Sequence, residues 1–167
     1  KKTAAKKQAA KKQAVKNSTK KAAQISMGDD VVLTKGIAEG YLNGSCAVSG
    51  FTTLEDDAAE ILSSDTDFLN LDGLRTLSDC SAECLGRHVH PLYLNGLAFL
   101  SDTAAVGLGM HKNNLRLNGL TNLTDAAATS LSPCCDLELD GLTSISEAAA
   151  SVLCKNSAAH ISMKGIN

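Results

Sequence analysis

Apolar positions recur along this chain in blocks of nearly constant length. "LYLNGLAFLSDTAAVGL" begins at Leu92, "LRLNGLTNLTDAAATSL" at Leu115 and "LELDGLTSISEAAASVL" at Leu137. Aligned on the opening motif, blocks start at Cys46, Leu69, Leu92, Leu115, Leu137 and Ile161, in steps of 23, 23, 23, 22 and 24 residues. A second apolar column follows two residues on, at Val48, Leu71, Leu94, Leu117, Leu139 and Met163. Gly50, Gly73, Gly96, Gly119, Gly141 and Gly165 come next, each followed by an apolar residue. The second half of each full block carries a Leu or Ile column (Leu54, Leu77, Leu100, Leu123, Ile145). An Ala column (Ala59, Ala82, Ala105, Ala128, Ala150) and a Leu column (Leu62, Leu85, Leu108, Leu131, Leu153) complete it.

Each column predicts a piece of structure. L-x-L alternates with period two, which is a short strand with its leucines on one face. The Asn-Gly or Asp-Gly that follows predicts a turn, since both residue types tolerate positive φ. Ser78, Ser101, Thr124 and Ser146, each followed directly by an acid, predict helix starts: the hydroxyl caps free N–H groups and the acid sits at the positive helix end. Glu55 and Asp56 make a poorer cap in the first block. The Ala and Leu columns lie three apart, on one helical face. One block cannot bury its own apolar side, whereas stacked blocks can. The expected fold is therefore an α/β solenoid over residues 46–167, with a parallel sheet on a concave face and short helices on the convex one.

The 23-residue period lies in the range of leucine-rich repeats. The motif L-x-L-[ND]-G-L-t-x-L-s-D-x-A-A-x-x-L resembles that of bacterial leucine-rich repeat proteins, in particular a type common in planctomycete genomes. One feature departs from the commonest leucine-rich pattern. Phe51, Leu74, Leu97, Leu120 and Leu142 stand where a buried Asn is usual, so the customary Asn ladder is expected to be missing.

Residues 22–45 fit the period less well. Ile25–Met27 echoes the I-S-M of 161–163, and Gly28-Asp29-Asp30 suits a turn. Val32, Leu33, Ile37 and Leu42 suit a short helix broken by two glycines, so the segment reads as an N-terminal cap or degenerate repeat. Residues 1–21 are different in kind. They carry nine Lys and no acid, while the rest of the chain carries all 18 acids against seven Lys and Arg, a net of −11. With almost nothing apolar to bury, this Lys/Ala-rich segment predicts a disordered basic tail. Its Lys pairs, Lys6, Lys7, Lys11 and Lys12 among them, suit salt-sensitive, sequence-blind contact with nucleic acid. A solubilising linker is the plainer reading. The chain opens on Lys1, and its last block stops after the strand motif with no helix. Both suggest a segment of a larger scaffold. Aromatics make up only 3% of the chain, so Ala and Leu must fill the core.

No apolar run reaches the length of a membrane helix, and no secretory signal is visible. G-x-S-x-G, the phosphate loop and H-E-x-x-H are absent, which argues against an enzyme, and no cofactor is expected. The resemblance implies that the protein binds another protein through the concave sheet face. Two columns face outward there. One is Ala47, Asn70, Tyr93, Arg116, Glu138 and Ser162; the other is Ser49, Asp72, Asn95, Asn118, Asp140 and Lys164. Tyr and Arg are typical interface anchors. The Asn and Asp of the second column also serve the turn before Gly. Cys80, Cys84, His88 and His90 have zinc-ligand chemistry. Yet Cys84 shares its column with Ile61, Gly107, Ser130 and Val152, so no metal is assigned there. Asp65, His88, His111 and Cys134 form a cross-repeat column whose neighbours could share a metal; exposed loop residues set side by side by repetition are the plainer reading. Six Cys without framework spacing predict reduced thiols and a cytoplasmic setting.

Overall fold

The computed structural model describes residues 30–155 and 160–166. Lys6, Lys7, Lys11, Lys12, Ile25–Met27 and Gly28-Asp29 lie outside that range. Strands and helices alternate: β1 (Val32–Leu33), α1 (Lys35–Leu42), β2 (Thr53–Leu54), α2 (Asp56–Ser63), β3 (Leu69–Asn70), α3 (Asp79–Gly86), β4 (Leu92–Tyr93), α4 (Asp102–Leu108), β5 (Asn114–Arg116), α5 (Asp125–Leu131), β6 (Asp136–Glu138), α6 (Glu147–Lys155) and β7 (His160–Ser162). Strands β3 to β7 form one parallel sheet in chain order. Its register joins Leu69 to Leu92, Leu92 to Leu115, Leu115 to Leu137 and Leu137 to Ile161, the same residues that the sequence period aligns.

Between the sheet and the helices the leucine columns are sealed from water. Leu71, Leu94, Leu117 and Leu139 are fully buried, as are Leu74, Leu97, Leu120 and Leu142 behind each turn and Leu62, Leu85, Leu108 and Leu131 from the helices. The helices seat on two adjacent small-residue columns. Beside Ala59, Ala82, Ala105 and Ala128 runs a second one of Ala58, Ser81, Ala104, Ala127 and Ala149, also fully buried. Small side chains let each helix approach its neighbour and the sheet closely.

The helix caps do more than terminate helices. Ser78, Ser101, Thr124 and Ser146 each accept the backbone N–H three residues on, at 2.9–3.0 Å. Each hydroxyl then donates to the acid of the preceding unit: Ser78 to Asp56 (2.5 Å), Ser101 to Asp79 (2.6 Å), Thr124 to Asp102 (2.5 Å) and Ser146 to Asp125. The acid column thus links successive units as well as complementing the helix dipole. The Ser78 and Ser81 hydroxyls hold the Asp56 carboxyl below its ordinary range. Glu55, in the first block, makes no side-chain cap.

Three expectations are corrected. The first block has no strand at Cys46–Val48. Its strand is β2, which pairs with β1 just ahead of the helix caps (Val32 with Thr53, Leu33 with Leu54). The stretch from Ser45 to Gly50 consists of small residues with Val48 its one strand-favouring side chain, and Val48 is its deeply buried residue. Second, α1 runs unbroken through Gly36 and Gly40, because burial of Ala38 and Tyr41 outweighs the weak propensity of glycine. Third, the glycines after the strands are not in the left-handed region. Among the described residues Gly44 alone has a positive φ, 79°. The Asn-Gly and Asp-Gly turns are instead closed by bonds from Leu74, Leu97, Leu120 and Leu142 N–H to the carbonyls of Leu71, Leu94, Leu117 and Leu139. Glycine is needed there because the turns stack. A Cβ on Gly119 would lie 2.1 Å from the Asn95 carbonyl oxygen of the preceding unit.

Candidate interaction surface

Because strand side chains alternate, positions flanking the buried leucines share the outer face of the sheet. Three columns run across it. The central one is Asn70, Tyr93, Arg116, Glu138 and Ser162, and a second lies just before the glycines. The third is Phe68, Pro91, Asn114, Asp136 and His160, which the sequence analysis does not include. Period two alone would have found it by stepping back two residues from the central column.

The central and third columns join into one line that runs from the start of β3 to β7. Phe68, 48% exposed, lies with its ring centre 5.9 Å from that of Tyr93. The Arg116 guanidinium carbon sits 4.4 Å from the centre of the Tyr93 ring. Arg116 Nε is 3.1 Å from Glu138 Oε1 and donates to Asn114 Oδ1 at 3.2 Å. Asn114 Nδ2 donates to Asp136 Oδ2 at 2.8 Å, and His160 Nδ1 lies 3.3 Å from Asp136 Oδ1. The cation–π contact and the half-exposed ion pair are each worth about 1 kcal/mol or less. They orient the side chains; they do not carry the fold.

The column before the glycines has a different duty. Asp72 Oδ1 accepts from the backbone N–H of Asn95 (3.0 Å) and from its Nδ2 (2.8 Å). Asn95 Oδ1 accepts from Asn118 N–H (3.1 Å), Asn118 Oδ1 from Asp140 N–H (2.8 Å), and Asp140 Oδ1 from Lys164 N–H (3.1 Å). A side-chain ladder is therefore present, two residues ahead of the usual Asn position, which the leucines occupy. Asp140 also accepts from the Ser162 hydroxyl (2.6 Å) and pairs with Lys164 (3.0 Å), which together hold its carboxyl at about 2. Replacing Asn118 with Ala removes the acceptor of a turn N–H. Destabilisation by about 1–3 kcal/mol is expected, read from the urea midpoint. A loss below about 0.5 kcal/mol would refute the ladder's role.

The Asp65, His88, His111 and Cys134 column is real, but its members are not exposed. They are 7%, 1%, 0% and 0% accessible, because the post-helix loops tuck these side chains under the next unit. Among the described residues no group of three or more His, Cys, Asp or Glu could hold a metal ion. Cys80 is exposed and Cys84 only partly buried, and all six cysteines are free thiols. Among the described residues no helix is long and apolar enough to cross a membrane.

No protein-family model, curated protein or solved structure matches this chain.

Proposed function

We propose that this protein is a non-catalytic, leucine-rich-repeat-type interaction module that binds a protein partner through the outer face of its sheet. The observation that carries this reading is the line Phe68–Tyr93–Arg116–Glu138. Four successive units each contribute one large or charged side chain, and mutual contacts hold these in one arrangement. Burying a preorganised Tyr and Arg on binding costs less ordering entropy than burying free ones. The motif's resemblance to leucine-rich repeats of the planctomycete type supports the same reading. Asn70 and Glu138 flank the anchors. Asp72, Asn95, Asn118 and Asp140 hold the strand ends in place beside them. The six free thiols favour a reducing compartment such as the cytoplasm.

The test is capture from an extract of the native host on the immobilised full chain. Tyr93→Ala with Arg116→Ala is expected to abolish capture of a discrete partner, a loss of tenfold or more in affinity. Val106→Ala, on an exposed position of α4, should leave it unchanged. Equal capture by both variants would refute the sheet face as the binding surface.

A second reading rests on the nine lysines of residues 1–21. It makes the protein a nucleic-acid-associated one, anchored by Lys6, Lys7, Lys11, Lys12 and their neighbours. A steep salt dependence of binding to random DNA that vanishes without residues 1–21 would favour it. Affinity that survives their removal would place binding on the repeats.

A further inference from the structure

Two imidazoles are sealed inside the molecule. The rings of His88 and His111, from the loops after α3 and α4, stack with centres 6.3 Å apart and planes within 9°. Neither ring nitrogen of His111, nor Nε2 of His88, makes a hydrogen bond of normal geometry, although the Asn114 and His88 backbones lie near enough to His111 to favour its proton in part. Nδ1 of His88 lies 3.4 Å from the Ser63 carbonyl oxygen. Four residues on from each histidine is a strand leucine, Leu92 or Leu115, so the stack sits at the entrance to the strands that carry Tyr93 and Arg116.

The charged surroundings do not rescue a proton there. On the α2 side stands Asp65, which accepts a hydrogen bond from the buried Tyr41 of α1; its charge favours a proton on His88, but burial of the ring outweighs it. His90 lies 6.0 Å from His88, ring centre to ring centre, and opposes a second positive charge. On the far side is the buried thiol of Cys134, whose sulfur is 3.7 Å from the Leu108 carbonyl and which burial pushes up to about 11. Lys112 is the nearby cation. Two imidazolium rings at this spacing would repel each other in a site closed to solvent.

We propose that the His88–His111 stack is an acid-sensitive latch, which holds the loops entering β4 and β5 in register while both rings are neutral and opens when they take up protons. The latch stands on the stack itself, whether or not the sheet face binds a partner. Desolvation holds His111 down to about 4 and His88 below its ordinary value. An unfolded histidine titrates near 6.5. A group whose pKa is depressed by folding contributes stability that is complete above its unfolded pKa. That stability is lost as pH falls from about 6.5 through the folded value.

The test is the urea unfolding constant of the full chain from pH 7 to pH 4, compared with His88→Leu/His111→Leu. The wild-type constant is expected to rise roughly a hundredfold more than that of the variant over this range. Carboxylates such as Asp56 and Asp140 contribute to both proteins and cancel in the comparison. Equal pH dependence in the two would overturn the latch. Should the variant not fold, the imidazole NMR signals of the wild type decide. His111 is expected to stay neutral to pH 5 and to change only as the native spectrum is lost. A smooth His111 titration near 6.5 with the fold intact would overturn the proposal.

Discussion

Gly119→Ala is expected to destabilise the protein by about 3 kcal/mol or more, a large share of the ~5–15 kcal/mol that holds a domain together. The sign is opposite to the ordinary one. At a position outside the left-handed region, Gly→Ala restricts the unfolded chain and stabilises by roughly 0.4–1 kcal/mol. Here the added Cβ meets the Asn95 carbonyl oxygen at 2.1 Å and the Leu97 carbonyl oxygen at 2.7 Å. Both are backbone atoms of the preceding unit, locked by the sheet and by the turn bond from Leu97 to Leu94. Relief would require pulling two units apart. Gly36, in α1, is the internal comparison, because nothing lies within 4 Å of a Cβ placed there. Gly36→Ala should be neutral or slightly stabilising. Urea midpoints of the two variants measure the difference, and similar midpoints would contradict the stacked-turn explanation.

Leu117→Ala is expected to cost about 2–5 kcal/mol. Leu117 is fully buried just after β5, between Leu94 and Leu139 of the neighbouring units. Its truncation opens a cavity that neither neighbour can fill without leaving its own place in the column. In a stacked array each unit contacts chiefly its neighbours, so a central lesion weakens the interfaces on both sides. Amide hydrogen exchange should therefore rise most in β4 to β6. Exposed Val106→Ala should lie within about 0.5 kcal/mol of wild type. A Leu117→Ala protein as stable as that would mean the column is not the core.

The fold was legible because repetition does the work of an alignment. Leu69, Leu92, Leu115 and Leu137 recur at nearly fixed spacing, and a residue pattern kept through four turns of the chain can only mean one environment met four times. The caps were legible for the same reason, since Ser or Thr followed by an acid has a local cause. What depends on the neighbouring unit was harder to read. Asn-Gly suggests a positive-φ turn when one unit is considered alone, whereas the glycine is demanded by the turn stacked beneath it. The hydrogen-bonded ladder is unexpected because its usual position holds leucine, yet Asp72, Asn95, Asn118 and Asp140 rebuild it two residues earlier. His88 and His111 looked like exposed loop residues because histidine in a Gly- and Pro-flanked loop usually is one; the depth to which these loops tuck inward has no local signature. On the sheet face, Tyr93 and Arg116 were found by strand periodicity, but their contact with each other and with Glu138 needed the parallel register.

The central claim is that recognition takes place on the sheet face and not on the helices. Hydrogen–deuterium exchange of the full chain, alone and with the protein captured from the native host, tests it most directly. The account predicts new protection concentrated in residues 68–72, 91–95, 114–118 and 136–140, with α2 to α5 unchanged. Protection confined to the helices, with these strand segments unaffected, would contradict it.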